Sequence, residues 1–157
     1  MHTYREDLLE HAVQTLILLG DALDVDMSPD ESGACFFEHS DGWRVGVMLA
    51  GEDQIVTAVS VLSNVTPPAD DRLISILSDF NWMGARTGGA AFSWNPAGRS
   101  FALWSSRDAD AATADGLHDA LVKLVETAAD LQPDLRAQLE GTDNAAPAAR
   151  GVDTQRV

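Results

Sequence analysis

The spacing of apolar residues changes repeatedly along the chain, and these changes limit the folds that it can adopt. From Tyr4 to Leu19 these residues recur at helical spacing, which predicts an amphipathic helix that Gly20 is placed to end. After a polar connector at 24–33, the spacing changes to every second residue, as in strands with one buried face. The chain therefore alternates between helices and groups of strands.

Three short segments with the two-residue period follow one another closely. They are ACFFEHS (34–40), WRVGVMLA (43–50) and QIVTAVSVL (54–62), and short turns at 41–42 and 51–53 separate them. Strands joined by such short turns pair with their neighbours in the opposite direction. We expect a three-stranded antiparallel meander.

A second helix and a β-hairpin come next. TPPADDRLISILSDFN (66–81) returns to helical spacing after its two prolines. In TGGAAFSWNPAGRSFALWSS (87–106), two apolar runs flank a turn at 95–98, which is typical of a hairpin. Trp104 points to the opposite side of its strand from Phe101 and Leu103.

The last periodic segment predicts a long third helix. Three residues are candidates for its N-cap: Asp108, Asp110 and Thr113. Pro133 is expected to start a short continuation that reaches about Leu139. Because apolar periodicity is lost beyond Glu140, we expect one domain over 1–140 and a disordered tail over 141–157.

The element order α-β-β-β-α-β-β-α predicts an α+β fold, with an antiparallel five-stranded sheet packed on three helices. Several strands are apolar on both sides; Phe36 and Phe37, for example, are adjacent and so point to opposite faces. Something must therefore cover the second face of the sheet. It is either the third helix packed behind the sheet, or a second subunit or another protein.

Charge and cysteine content narrow the function class. Lys and Arg total 10 against 25 Asp and Glu, a formal charge of −15, which disfavours nucleic acid and anionic membranes as partners. The single cysteine, Cys35, excludes an internal disulfide. The charged N-terminus does not resemble a signal peptide, and no apolar run approaches the roughly 20 residues of a membrane helix. We expect a soluble cytoplasmic protein.

The residues give little support to catalysis. The four histidines lack the spacing of a helical zinc motif: His2, His11, His39 and His118. Cys35 and His39 would lie roughly 13 Å apart on one strand, too far for a nucleophile and its base. No phosphate-binding glycine motif occurs. We expect that the protein is not an enzyme and has no metal or cofactor. The weaker alternative is an enzyme whose active site contains His39, Asp41 and Arg44 without a recognisable motif.

Four segments together resemble the class I type III secretion chaperones related to the Tir chaperone. They are TLILLGDALDVD, SGACFFEHSDGWRVGVML, LSDFNWMGARTGGAAFSWNPAGRSFALW and the third helix from about Thr113. The resemblance extends over about residues 4–139 and rests on element order, length and acidity rather than on one motif. It implies an acidic homodimer in the bacterial cytoplasm that holds the N-terminal chaperone-binding segment of a secreted effector.

The resemblance also implies where the partners bind. The effector is expected on the first helix and first strands, at Leu9, Val13, Phe37, Trp43 and Val45. The dimer is expected around the second helix and the hairpin, at Leu73, Ile74, Leu77, Trp82, Trp94 and Trp104. A different hypothesis is an acidic immunity or regulatory module that blocks a basic site on its partner, with no role in secretion.

Overall fold

The structure, a computed structural model, describes residues 4–141 apart from 28, 32, 39–41 and 52, and for residues 4–6, 8 and 9 it describes the backbone alone. The helices are α1 (Tyr4–Leu23), α2 (Asp70–Asn81) and α3 (Ala114–Glu140). The strands are β1 (Ala34–Glu38), β2 (Arg44–Ala50), β3 (Gln54–Leu62), β4 (Ala91–Asn95) and β5 (Ser100–Asp108). The predicted element order and the α+β class are confirmed.

The five strands form one antiparallel sheet in the order β1-β2-β3-β5-β4. The meander β1–β3 and the hairpin β4–β5 are joined because β5 pairs with β3. Val59 of β3 lies between Val45 of β2 and Leu103 of β5, so these side chains share one face. Their immediate neighbours along each strand point to the other face.

One face of the sheet forms the core together with all three helices. The helices bury Leu16 and Leu19 of α1, Ile76 and Phe80 of α2, and seven residues of α3. The matching strand residues are Cys35, Val45, Val47, Ile55, Thr57, Val59, Val61, Phe92, Phe101 and Leu103. Rings of Phe80, Phe92 and Phe101 stack in succession, with centroids 4.7 and 5.4 Å apart, and attach α2 to the hairpin.

Gly20 does not end the first helix, contrary to the prediction. α1 continues to Leu23, and Asp24 then turns the chain with a φ of 54°. A Cβ atom at Gly20 would lie 2.7 Å from the Val25 carbonyl oxygen and 2.8 Å from Met27 Cγ. The glycine is needed because the connector folds back against the helix at this point.

Pro133 does not start a new segment either, since α3 is continuous from Ala114 to Glu140. Proline lacks the N–H that would bond to the carbonyl of Ala129, but Leu131 and Leu135 on either side are buried and hold the helix on the sheet. At the other end, the Gly116 N–H donates to Thr113 Oγ1 (3.1 Å), so Thr113 is the N-cap among the three candidates. The predicted tail after residue 141 lies outside the described residues.

Candidate protein-binding surfaces

The sheet face turned away from the core, here called the outer face, is apolar at its centre and carries polar residues such as Glu38, Arg44 and Gln54 toward its ends. Its residues include Phe36, Gly46, Met48, Val56, Ala58, Ala102 and Trp104. Phe36 is 58% exposed and Trp104 is 38% exposed. Within the described part of the chain no helix covers this face, so of the two alternatives, the third helix packed behind the sheet is wrong and a second subunit or another protein is left. An apolar sheet face left open to water is typical of a surface that binds a partner.

The centre of the outer face lies lower than its surroundings because the residues there have small side chains. Phe36, Gly46, Ala58 and Trp104 lie opposite one another in a row across four strands. The Phe36 ring lies over Gly46, where a Cβ atom would be 2.8 Å from the ring. The row therefore presents two aromatic side chains with a low region between them.

A second apolar surface, the α1 groove, lies between the first helix and the connector that follows it. It has a volume of about 340 Å³. Its lining is formed by Val13, Ile17, Asp21, Val25, Asp26, Met27 and Pro29. Apolar walls of this size suit an aliphatic side chain.

A third apolar surface lies at the C-terminal end of α2. Trp82 and Met83 follow the helix in a short 3-10 turn and are 72% and 86% exposed, and Ile74 on the helix is 65% exposed. Met83 has a φ of 52°, a conformation that costs a non-glycine residue about 1–2 kcal/mol. The nearby Arg86 forms ion pairs with Asp79 and Asp134, which fasten the segment after this turn to α2 and α3.

The two edges of the sheet differ in how their backbone groups are satisfied. At β4, the Asn81 side chain accepts from the Phe92 N–H (2.8 Å) and donates to the Phe92 carbonyl oxygen (2.7 Å), as a neighbouring strand would. At β1, the Asp30 backbone N–H donates to the Ala34 carbonyl oxygen (2.9 Å) and the Asp30 carboxylate accepts from the Ala34 N–H (3.1 Å). Phe36, two residues further along β1, points its N–H and carbonyl oxygen to the same open side. The β1 edge is therefore available beyond Ala34.

The groups that could carry out chemistry are few and protected. Cys35 is buried, and its Sγ donates to the Met27 carbonyl oxygen at 3.4 Å. Burial, and then the carboxylates of Asp30 and Asp26, raise the pKa of this thiol. A protonated, buried thiol is a poor nucleophile. Among the described residues, no group of three or more His, Cys, Asp or Glu side chains could hold a metal ion.

The residues predicted to contact an effector have different surroundings. Val13 is half-buried and lines the α1 groove, and Trp43 is half-buried immediately before β2. Phe37 packs against the core from β1, and Val45 is only 1% exposed within it. The side chain of Leu9 lies outside the described residues, as do His39 and Asp41 of the alternative enzyme site.

The residues predicted for the dimer interface divide into two groups. Ile74, Trp82 and Trp104 are exposed. Leu73, Leu77 and Trp94 pack against the core, with the Trp94 and Phe101 ring centroids 4.9 Å apart. The prediction did not include Met48, Val56 or Ala58 of the outer face. The sequence signal for these residues is that β2 and β3 have apolar residues at both odd and even positions, so that both faces of each strand are apolar.

The sequence matches one protein family. Residues 14–132 match the model of the Tir chaperone protein (CesT) family. No curated protein is significantly similar to the chain in sequence. Among the described helices, none has the length and apolar character required to cross a membrane.

Several solved structures share this fold. The ExsC–ExsE complex contains a chain with a TM-score of 0.63 and 18% identity, over 76% of this chain and 90% of that one. The structure of the Yersinia pestis type III secretion chaperone SycH in complex with a fragment of YscM2 matches with a TM-score of 0.57 and 16% identity, over 76% of this chain and 98% of that one. The ExoT–SpcS complex from Pseudomonas aeruginosa matches with a TM-score of 0.54 and 16% identity, over 78% of this chain and 96% of that one. At these identities the similarity concerns the fold.

Proposed function

The chain belongs to the Tir chaperone protein (CesT) family, and we propose that it is a chaperone for a protein exported by a type III secretion system. The observation that carries the proposal is the outer face, an apolar sheet surface that the described helices leave uncovered on a chain of this family. The protein acts in the bacterial cytoplasm, by binding and without turnover. It keeps the exported protein soluble and ready for secretion.

The bound part of the exported protein is an N-terminal segment in an extended conformation. An extended segment needs a strand edge to satisfy its backbone, and β1 offers one at Phe36 and Glu38. The β4 edge is a poor alternative because Asn81 already occupies the backbone groups of Phe92. The segment therefore adds to β1, next to the exposed Phe36 side chain.

Side chains of the segment then enter the surfaces near β1. The α1 groove receives an aliphatic side chain against Val13 and Ile17. Leu9, four residues before Val13 in the sequence, is a further proposed contact. Trp43 contributes from its position immediately before β2. Phe37 and Val45 lie beneath the surface and shape it from the core side.

The functional unit is a homodimer. Ile74 and Trp82 of α2 and Trp104 of the outer face are large apolar side chains exposed in the single chain, which supports their burial by a second copy. Leu73, Leu77 and Trp94 hold α2 and the hairpin in place behind these contacts. The rest of the outer face remains for the exported protein.

Affinity purification from the native host under secretion-inducing conditions tests this function. The tagged wild-type chain is compared with Ile17→Asn, which places an amide in the α1 groove. Leu18→Asn is the matched control, because Leu18 is also exposed on α1 but does not line the groove. Mass spectrometry identifies what each bait recovers, and circular dichroism checks that all three are folded.

We expect the wild type and Leu18→Asn to recover one or a few exported proteins, and Ile17→Asn to lose them. Deletion of the N-terminal segment of a recovered protein should also abolish binding. Recovery of a cytoplasmic enzyme or toxin alone, with equal yield from all baits, would contradict the chaperone function and favour an immunity or regulatory module.

A further inference from the structure

A polar cleft at one end of the sheet stands apart from the apolar surfaces described above. It has a volume of about 320 Å³ and lies where β2 begins and β3 ends, with α3 forming one wall. Its lining includes Trp43, Arg44, Ser60, Ser63, Gln132 and Arg136. We refer to it as the arginine cleft.

The positive charge of the arginine cleft is unusual for this chain. Lys and Arg total 10 against 25 Asp and Glu, yet two arginines from separate elements, Arg44 of β2 and Arg136 of α3, line the same small space. Within the described residues, the ion pairs are those of Arg86, and neither cleft arginine forms one. Glu38 lies opposite Arg44 in the strand register without making an ion pair to it.

The other polar side chains that line the cleft are neutral and add a donor, and the nearby carboxylate is that of Glu38, which lies close to the lining residue Gly42. Ser60 Oγ and Ser63 Oγ share one hydrogen bond of 2.8 Å, which uses one hydroxyl proton and leaves the other free to donate. The Gln132 amide nitrogen donates to the Val61 carbonyl oxygen at 2.7 Å, which fixes this side chain against β3. Trp43 supplies an apolar wall.

Two guanidinium groups, a hydroxyl donor and an apolar wall match a carboxylate on a short hydrocarbon stem. We propose that the arginine cleft binds the side chain of a single acidic residue in the polypeptide that the protein chaperones. This inference rests on the proposed function, because it adds the chemistry of one contact to the same partner.

The charge of the whole protein makes such a contact selective. A chain with a net charge of −15 repels an acidic side chain over most of its surface. In the cleft, two arginines attract such a side chain instead. An acidic residue at the correct position in the segment is therefore bound, and one displaced along the segment meets repulsion. The cleft fixes the register in which the segment lies on the protein.

The test uses the full chain and the N-terminal segment of the exported protein recovered with it. Arg44→Gln/Arg136→Gln removes both charges and keeps polar side chains of similar length. Arg99→Gln/Lys123→Gln is the matched control, with the same change in net charge at positions outside the cleft. We expect the dissociation constant for the segment to rise about tenfold or more in the cleft variant and by less than about twofold in the control.

Substitutions in the segment then identify the acidic residue. Each Asp or Glu is changed in turn to its amide, and one of these changes should weaken binding to the wild type without weakening binding to the cleft variant further. Equal affinity of the wild type and the cleft variant would overturn the inference while leaving the chaperone function intact. Failure of the wild type to recover any exported protein would overturn both.

Inorganic phosphate distinguishes a polypeptide carboxylate from a free anion as the occupant. We expect the melting temperature of the wild-type chain to respond to phosphate no more than that of the cleft variant. A phosphate-dependent rise seen in the wild type alone would identify a site for small anions and overturn the proposal.

Discussion

The two faces of the sheet are made by the same strands and by similar residue types, yet their surroundings are opposite. On β5, Phe101 and Leu103 are fully buried, whereas Trp104 beside them is 38% exposed. On β1, Cys35 is buried and Phe36 next to it is 58% exposed. The apolar content of a strand therefore does not decide which of its sides is buried.

The position of the helices decides which side of each strand is buried, since all three helices pack on one side of the sheet. α3 is 27 residues long and contributes seven buried side chains to the core face. α1 and α2 fill the remaining space on that side, and no further helix of the described chain is left for the outer face. An apolar outer face is costly in water, which supports a role in binding rather than in folding.

Removal of one aromatic side chain from each face should produce the largest difference. Phe101→Ala leaves a cavity beside Phe92 and Trp94, and we expect the free energy of unfolding to fall by about 3–5 kcal/mol. Trp104→Ala removes a side chain that touches water, so its effect should be below about 1 kcal/mol in the separated protomer. Urea denaturation of both variants measures this.

Protein concentration separates the two effects further. If Trp104 lies in the dimer interface, the unfolding midpoint of Trp104→Ala falls further below that of the wild type at concentrations where the wild type is dimeric than where it is monomeric. The loss in Phe101→Ala should not depend on concentration. Equal losses in the two variants at every concentration would show that Trp104 is part of the core.

Two glycines give a smaller contrast. A methyl group at Gly20 would meet the Val25 carbonyl and Met27, and backbone at that distance cannot move away easily, so Gly20→Ala should cost about 1–3 kcal/mol. Gly46→Ala would clash with the Phe36 ring, which can swing into solvent, and would meet the Cys35 carbonyl oxygen at an ordinary 3.6 Å, so we expect less than about 1 kcal/mol. Thermal unfolding of both variants is the measurement. A larger loss for Gly46→Ala would mean that the Phe36 ring is held in place by a partner.

The fold could be predicted from the sequence because the periodicity of the chain is strong. QIVTAVSVL, for example, gave β3 with its observed bounds, and the prolines at 67–68 correctly placed the start of α2 after them. Gly20 and Pro133 misled the prediction for a common reason. Local propensity marks both as breaks, but tertiary packing on either side keeps the helix continuous.

The site residues were less accessible to sequence analysis. Alternation shows that Phe36 and Phe37 point to opposite faces, but it cannot show which face the helices cover. The sequence predicts an effector contact at Val45, which lies in the core, whereas Met48 on the other side of the same strand faces outward. Nor can spacing reveal the arginine cleft, because Arg44 and Arg136 are 92 positions apart and only the packing of α3 brings them to one space.

Two hydroxyl hydrogen bonds, one buried and one exposed, should also differ in their contribution to stability. Thr57 is 1% exposed on the core face, and its Oγ1 lies 3.0 Å from Ser105 Oγ. Thr57→Val keeps the shape but removes this buried hydrogen bond, so we expect a loss of about 1 kcal/mol. Ser60→Ala breaks the exposed contact to Ser63 and should change stability by less than about 0.5 kcal/mol. Equal losses in chemical denaturation would mean that the end of β3 is buried by a partner.

The smallest effect concerns the Cys35 thiol on the core face. Burial and the neighbouring Asp30 and Asp26 raise its pKa in the folded chain, so the folded state keeps the proton at a pH where the unfolded state has lost it. The unfolded chain then binds fewer protons, and the free energy of unfolding should decrease as the pH rises above about 8.5. Cys35→Ala should remove this part of the pH dependence.

A thiol on the outer face provides the comparison for Cys35. In the Cys35→Ala background, Ala58→Cys places a thiol at a half-exposed position between Gly46 and Trp104 in the register. Iodoacetamide reacts with the thiolate, so this residue should be alkylated rapidly in the native protein at pH 8, whereas Cys35 in the wild type should be alkylated slowly. Similar rates would mean that Cys35 is open to solvent. Protection of the new thiol that is lost on dilution would instead mean that a second copy covers the outer face, and would extend the dimer interface from Trp104 to the centre of the sheet.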